Sequence, residues 1–220
     1  MPEIAAVIWD MDGVLADTAP HHLRAWQETF ARRGIKFTEA DFKRGFGIRN
    51  DAIIRNVLGE AIAEEKIEAI AREKEATFRR IIGKDVKPLP GALELLQALY
   101  DRGVRMAIAS SATIENIRLI IGSLGIAKYF KAVITGHDVT EGKPSPQLFL
   151  LAAKRLGAEP KNCIVFEDAV AGVKAAKRAG MYCVAVANTH PREKLKEADL
   201  IVDSLEMVTV KELKGLVHSP

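Results

Sequence analysis

The chain has 220 residues, 48% of them hydrophobic and 28% charged, with a net charge of +3 from 32 basic and 29 acidic side chains. This length allows one large domain or a core carrying a smaller insert, and the composition is that of a globular protein. The balanced charge argues against nucleic acid as partner. Two cysteines exclude a disulfide framework, and no apolar run approaches the ~20 residues that cross a bilayer, so no membrane is expected.

Residues 4–9 form an apolar run rich in β-branched side chains, ended by Asp10-Met11-Asp12-Gly13. Such a run reads as a buried strand. In a parallel sheet, ligands bind outside the carboxyl ends of the strands, where these acids fall. The i, i+2 spacing sets Asp10 and Asp12 on one face, and the bend allowed by Gly13 lets them diverge into two roles. A carboxylate there serves as a nucleophile or a metal ligand; the plain alternative is a turn with two solvated acids. Met1-Pro2-Glu3 lacks a basic leader segment, and a cytoplasmic protein is expected.

From Leu15 to about residue 87 the pattern is helical. Residues 20–33 put Leu23, Trp26 and Phe30 on one face, with Gly34 as the stop. Thr38-Glu39-Ala40-Asp41 resembles a capping box. Asn50 or Asp51 is expected to cap a helix over residues 52–58, and residues 62–82 form a long amphipathic helix ended by Gly83. Arg32-Arg33 and Arg79-Arg80 fall on these helices as solvated faces. Lys74 lies on the apolar stripe of Ile67, Ile70, Phe78 and Ile81, so it either snorkels to water or reaches into a cleft; the cleft is expected. The four helices read as a module over residues 17–87, inserted between core segments 1–16 and 88–220. The chain would cross at residues 16–19 and 87–91.

After residue 91, helices alternate with strands. Helices are expected over residues 92–102, 113–124, 146–156 and 170–179, with a short one near 192–196. Ser145 is expected to cap the third, with Pro146 in its first turn. Strands are expected over 105–109, 132–134, 163–166, 182–187 and 200–202. This alternation means right-handed βαβ units and a Rossmann-like parallel α/β sheet. Cys163 and Cys183 sit in strand-like runs as buried thiols, and the tail over 209–220 is expected to fray.

The later strands also deliver polar groups: Ser110-Ser111 after residue 109, Lys143-Pro144 in the loop after residue 134, and Glu167-Asp168 after residue 166. Each has a plain alternative, as a helix cap or a solvated loop charge. Their coincidence at one sheet edge favours a site. Several acids in one cleft repel one another and call for a hard cation such as Mg²⁺. Lys143, the Ser110 hydroxyl and backbone N–H groups suit the oxygens of a phosphoryl group. Of two neighbouring acids, one can attack phosphorus while the other exchanges protons with the leaving and incoming groups.

Asp10-Met11-Asp12-Gly13-Val14-Leu15 resembles the DxDGxL signature of the haloacid dehalogenase-like hydrolases. Ser110, Lys143-Pro144 and Glu167-Asp168 match that family's other motifs in order. The resemblance spans essentially the whole chain. It implies that Asp10 is the nucleophile, forming an aspartyl-phosphate, that Asp12 is the general acid/base, and that Ser110 and Lys143 hold the phosphoryl oxygens. It implies Mg²⁺ bound by Asp10, the carbonyl of Asp12, and Asp168, with Glu167 beside them, and a helical insert acting as a mobile cap. The presence of Asp12 disfavours the C–Cl and C–P cleaving branches.

Residues 17–26 are most similar to the hinge and first cap helix of the β-phosphoglucomutase branch and the phosphatases nearest it. That likeness implies that His22 gates closure, Trp26 lines the substrate pocket, Arg49 grips a distal phosphate and Lys74 lies near the sugar. Ser111 adds a further binding group. The chain departs from the mutase pattern at Ser110-Ser111-Ala112, where the mutase has Ser-Ala-Ser, and at Thr113-Ile114, where it has Lys-Asn. Phe46-Gly47-Ile48 differs as well. The resemblance therefore favours a phosphatase of small sugar or organic phosphates ahead of a mutase; a monomer is expected because a capped cleft needs no partner chain, and an idle binding protein is disfavoured because every polar group the chemistry needs is present.

Overall fold

The computed structural model describes residues 4–218. Its core is a parallel sheet of β1 (Ala6–Trp9), β2 (Arg105–Ser110), β3 (Ala132–Thr135), β4 (Cys163–Glu167), β5 (Tyr182–Val186) and β6 (Leu200–Val202). The strand order is β3-β2-β1-β4-β5-β6, so β1 lies at the centre, between β2 and β4. Register sets Trp9 opposite Ile108 and Phe166, which brings the ends of these three strands level. Both sheet faces are buried: Val7 and Trp9 belong to one apolar layer, Ala6 and Ile8 to the other. Two covered faces explain the near-continuous apolar strands. Among the described residues, no helix is long and apolar enough to cross a membrane.

Between β1 and the rest of the sheet lie α1 (Ala19–Ala31), α2 (Glu39–Gly45), α3 (Asn50–Leu58) and α4 (Glu64–Ile82). They enclose an apolar cluster of their own, including Trp26, Phe30, Phe37, Phe42, Phe46 and Ile54. The chain leaves and returns side by side: Asp17 N–H donates to Lys87 O at 2.9 Å and Leu89 N–H to Leu15 O at 3.1 Å. The core helices are α5 (Ala92–Tyr100), α6 (Ile114–Ser123), α7 (Gln147–Leu156), α8 (Val170–Arg178) and α9 (Val210–His218).

The Thr38 capping box forms as read: Thr38 Oγ1 accepts from Asp41 N–H, and Asp41 Oδ2 accepts from Thr38 N–H. Three sequence expectations need correction. Ser145 does not cap α7; Pro146 stands in the cap position and the helix begins at Gln147. Gln147 Oε1 instead accepts from Thr140 N–H, Thr140 Oγ1 and Glu141 N–H, tying the helix start to the loop before it. Neither Asn50 nor Asp51 caps α3, because Arg49 holds that position and Asn50 reaches across to Glu75. The C-terminal segment is α9 rather than frayed chain, anchored by buried Val210 and Leu213; residues 219–220 lie outside the described residues. Cys163 and Cys183 are free and buried, as expected.

Candidate active site

The strands end in a buried charge cluster. Asp10 follows β1, and its N–H donates to Phe166 O on β4 at 3.0 Å. Lys143 Nζ, from the loop before α7, donates to both Asp10 Oδ1 and Glu167 Oε1. Glu167 ends β4, is fully buried, and accepts on Oε2 from the Asp168 and Ala169 N–H groups at 2.8 Å. Burial pushes the Asp10 carboxyl up to about 7, with Glu167 and Asp12 adding to it and Lys143 opposing. Burial works against the Lys143 charge, yet Asp10 and Glu167 outweigh it and hold the ammonium above the ordinary lysine range. Ser110 Oγ accepts from Ala112 N–H at 3.1 Å, which leaves its proton free for another acceptor.

Asp12 faces the helical unit. Its Oδ1 accepts from Thr18 Oγ1 at 2.6 Å and lies 3.1 Å from His22 Nε2. Lys74 Nζ donates to His22 Nδ1 at 2.8 Å, which leaves the ring proton on Nε2 to be donated to Asp12. Burial, then Lys74, lowers the pKa of His22 and keeps the ring neutral. Burial opposes the Asp12 charge, but His22 and Thr18 prevail and hold this carboxyl below its usual range. Lys74 also donates to Glu75 Oε1 at 2.8 Å, and Asn50 Nδ2 donates to the same oxygen at 2.7 Å. Glu75 Oε2 accepts from Asn116 Nδ2 on α6, and Asn116 Oδ1 accepts from Arg79 at 2.9 Å. A buried polar chain thus runs from Asp12 through the helical unit and back to the core.

Asp10, Asp12, His22, Lys74, Glu75 and Asn50 line a small pocket of about 40 Å³, bounded also by Trp26, Phe46, Ser110 and Ser111. That is room for roughly three waters. Asn50, Glu75 and Ser111 also border an outer cleft of about 600 Å³ between α3, α4 and α6. The loop after α2 borders the pocket and meets the core: Ser111 Oγ donates to Gly47 O at 3.0 Å. Gly47 has φ +87°, and a Cβ there would stand 2.5 Å from Ala169 Cβ.

The model of the haloacid dehalogenase-like hydrolases matches residues 4–180. This chain belongs to that family. It is 34% identical to the fructose-1-phosphate phosphatase YqaB of Escherichia coli, over 83% of this chain and 96% of that one. It is 31% identical to a chloroplastic 5-amino-6-(5-phospho-D-ribitylamino)uracil phosphatase of Arabidopsis thaliana, over 96% of this chain but only 57% of that protein's length. Among solved structures, β-phosphoglucomutase from Clostridium difficile superposes with a TM-score of 0.88 at 29% identity, covering 97% of this chain and 96% of that one. Haloacid dehalogenase-like phosphatases and phosphomutases are therefore its relatives.

The metal that this family membership implies is Mg²⁺, and the donor set fits it. Asp168 Oδ2 accepts from Thr189 Oγ1, while Oδ1 is buried with no partner. Burial, then Glu167 and Asp10, pushes the Asp168 carboxyl well above its usual range. Two crowded carboxylates and an orphaned oxygen are short of positive charge, and a hard cation supplies it. Among the described residues, no three His, Cys, Asp or Glu side chains gather as a metal cage. The fit is two carboxylates and a main-chain carbonyl, and Mg²⁺ commonly keeps water in its other positions. Glu167 departs from the expected set. Both its oxygens are taken by Lys143 and the 168–169 backbone, so it acts from behind the site.

The other expected binding residues divide between the two spaces. His22, Trp26 and Lys74 line the small pocket, with the Lys74 Nζ 5.2 Å from the centroid of the Trp26 ring. Arg49 does not; it borders the outer cleft, where Nε donates to Asp51 and Nη1 to the carbonyls of Val139 and Thr140. Ser111 borders both spaces with its hydroxyl given to Gly47. Arg79 is not a solvated face charge, since it bonds buried Asn116.

Sequence reading missed Thr18, Glu75, Asn116, Asn188 and Thr189. Asn188 Nδ2 donates to Gly13 O at 2.8 Å, so the loop after β5 supports both Gly13 and Asp168. Glu75 had a signal, because it stands three residues before Phe78 and seven before Ile82 on the buried face of α4. Thr189 had none, since only the pairing of β4 with β5 brings it to Asp168.

Proposed function

We propose that the protein is a Mg²⁺-dependent phosphatase of small sugar or organic phosphate monoesters. The observation that carries this reading is that Asp10 and Asp12 line one pocket with different partners. Asp10 meets only the core ammonium of Lys143, whereas Asp12 is held on one oxygen by Thr18 and His22. Two carboxylates with different partners can take different roles, one attacking phosphorus and one exchanging protons.

Asp10 attacks phosphorus, forming its aspartyl-phosphate as the ester P–O bond breaks. Asp12, ionised at rest, first takes up a proton from water and then delivers it to the leaving alcohol. It then takes a proton from water as that water attacks phosphorus and frees Asp10. Lys143 and Ser110 hold phosphoryl oxygens. Asp10, Asp168 and the carbonyl of Asp12 would bind Mg²⁺, which when bound offsets the negative charge of the phosphoryl oxygens. The helical unit of residues 17–87 serves as a cap that excludes bulk water by closing on its paired crossings. Asp10→Asn is the test: phosphate release is expected to fall by about 10⁴-fold or more with the fold intact. Wild-type turnover in that variant would remove the nucleophile assignment.

The second reading is a phosphomutase, in which a sugar phosphate accepts the phosphoryl group in place of water. The likeness to the Clostridium difficile enzyme and the small volume of the pocket favour it. Thr113-Ile114, with no cation after Ser110, and an Arg49 committed to Asp51 and two carbonyls weigh against it. Following free phosphate and glucose 6-phosphate together, from β-glucose 1-phosphate with a trace of glucose 1,6-bisphosphate, separates the two. Isomerisation far in excess of phosphate release would make the protein a mutase.

A further inference from the structure

Glu75 is a buried carboxylate on α4, in the helical unit, whereas Lys143 and Ser110 belong to the core. Glu75 is 5% exposed and borders both the small pocket and the outer cleft. Lys74, Asn50 and Asn116 donate to it. Burial works against its charge, yet the Lys74 ammonium, with hydrogen bonds from Lys74 and Asn50, pulls Glu75 down to about 2, so it is ionised at neutral pH. The side chains lining the small pocket carry one ammonium, Lys74, and Lys74 is committed to Glu75 and His22. Of the guanidiniums bordering the outer cleft, Arg49 is held by Asp51 and two carbonyls and Arg79 by Asn116. The groups left to meet a leaving group are amides, hydroxyls and apolar side chains.

We propose that Glu75 makes this pocket selective for phosphate esters of small neutral alcohols and polyols, and against leaving groups carrying a second negative charge. The proposal rests on the phosphatase reading above. An anionic leaving group meets Glu75 without a free cation to offset it, beside a carboxylate that is itself buried. A neutral polyol meets hydrogen-bonding partners, since a substrate hydroxyl can donate to Glu75 and accept from Asn50.

The test uses the full chain with Mg²⁺ and matched pairs: glycerol 3-phosphate against 3-phosphoglycerate, and fructose 1-phosphate against fructose 1,6-bisphosphate. Wild type is expected to favour the neutral member of each pair by about tenfold or more in kcat/KM. Glu75→Gln frees Lys74 to meet an anion, so the ratio is expected to move towards one, while Glu75→Asp keeps the preference. Equal or better use of the charged member by wild type would overturn the proposal and assign the second charge to Arg49 and Arg79 in the outer cleft. A Glu75→Gln variant that slows both members equally would also overturn it, since a merely structural role does that. The same pairs are titrated by calorimetry into Asp10→Asn and into Asp10→Asn with Glu75→Gln. A wild type that hydrolyses nothing overturns the phosphatase reading, while the binding ratio still decides the role of Glu75.

Discussion

Lys143 Nζ donates to Glu167 Oε1 at 2.5 Å with both side chains wholly buried, so the ammonium that meets Asp10 is fixed from behind by a second acid. Glu167 has its place because residue 172, on α8, is glycine: a Cβ there would stand 1.7 Å from Glu167 Oε1. Gly172→Ala is expected to displace Glu167, cost about 1–3 kcal/mol of stability as overpacking does, and lower phosphate release. Glu167→Gln leaves Lys143 with one carboxylate and is expected to cost on the order of 3 kcal/mol. Urea unfolding and phosphate release check both; a Gly172→Ala protein with wild-type stability and turnover would refute this account.

Thr189 acts on Asp168 by orientation. Its hydroxyl occupies Asp168 Oδ2 and leaves Oδ1 for another partner. Thr189→Val keeps the shape and removes the donor. Mg²⁺ affinity is expected to fall about 10- to 100-fold, as for other groups that orient a metal ligand. Calorimetric titration with Mg²⁺ alone reads this without turnover, and an unchanged affinity would dismiss the role.

Gly47 closes the pocket by bringing its backbone against the core, where Ser111 Oγ bonds its carbonyl and Ala169 leaves no room for a side chain. Gly47→Val adds a Cβ both at positive φ and at this contact. It is expected to hold the cap open and reduce kcat/KM by about tenfold or more, with global stability changed by about 1–2 kcal/mol. Small-angle scattering with substrate present checks the prediction, which fails if the variant closes like wild type.

Glu75 links stability to acid pH. Its folded pKa of about 2 lies below the usual 4.5, so its contribution is complete above pH 4.5 and is lost as pH falls through 2. The size is on the order of 3 kcal/mol. Between pH about 4.5 and 2, wild type is expected to lose stability more steeply than Glu75→Gln. Urea titrations across that range decide it, and parallel curves would refute the linkage.

Local chemistry was enough to read much of this protein. An apolar run ending in Asp10-Met11-Asp12-Gly13 already means a buried strand delivering acids, and β1 does so at the centre of the sheet. The capping box at Thr38 was legible because both its partners lie within four residues. The burial of Lys74 followed from its position in an apolar stripe. The cap of α7 was misread because Gln147 bonds a preceding loop, a choice that residue preferences at positions 145 and 146 do not reveal.

Helical and strand periodicity and strand-end residues depend on neighbours a few positions apart, so the sequence by itself determined the parallel α/β fold and the polar side chains that end its strands. Which oxygen of Asp168 is free, which carboxylate backs Lys143, and where Arg49 ends depend on groups brought together across the sheet or across the cleft. Thr189 meets Asp168 because β5 lies beside β4, and Glu75 meets Asn116 because α4 closes over α6. Only the tertiary structure decided these contacts, because directional bonds between distant residues exist only once packing has set the distances and excluded competing water.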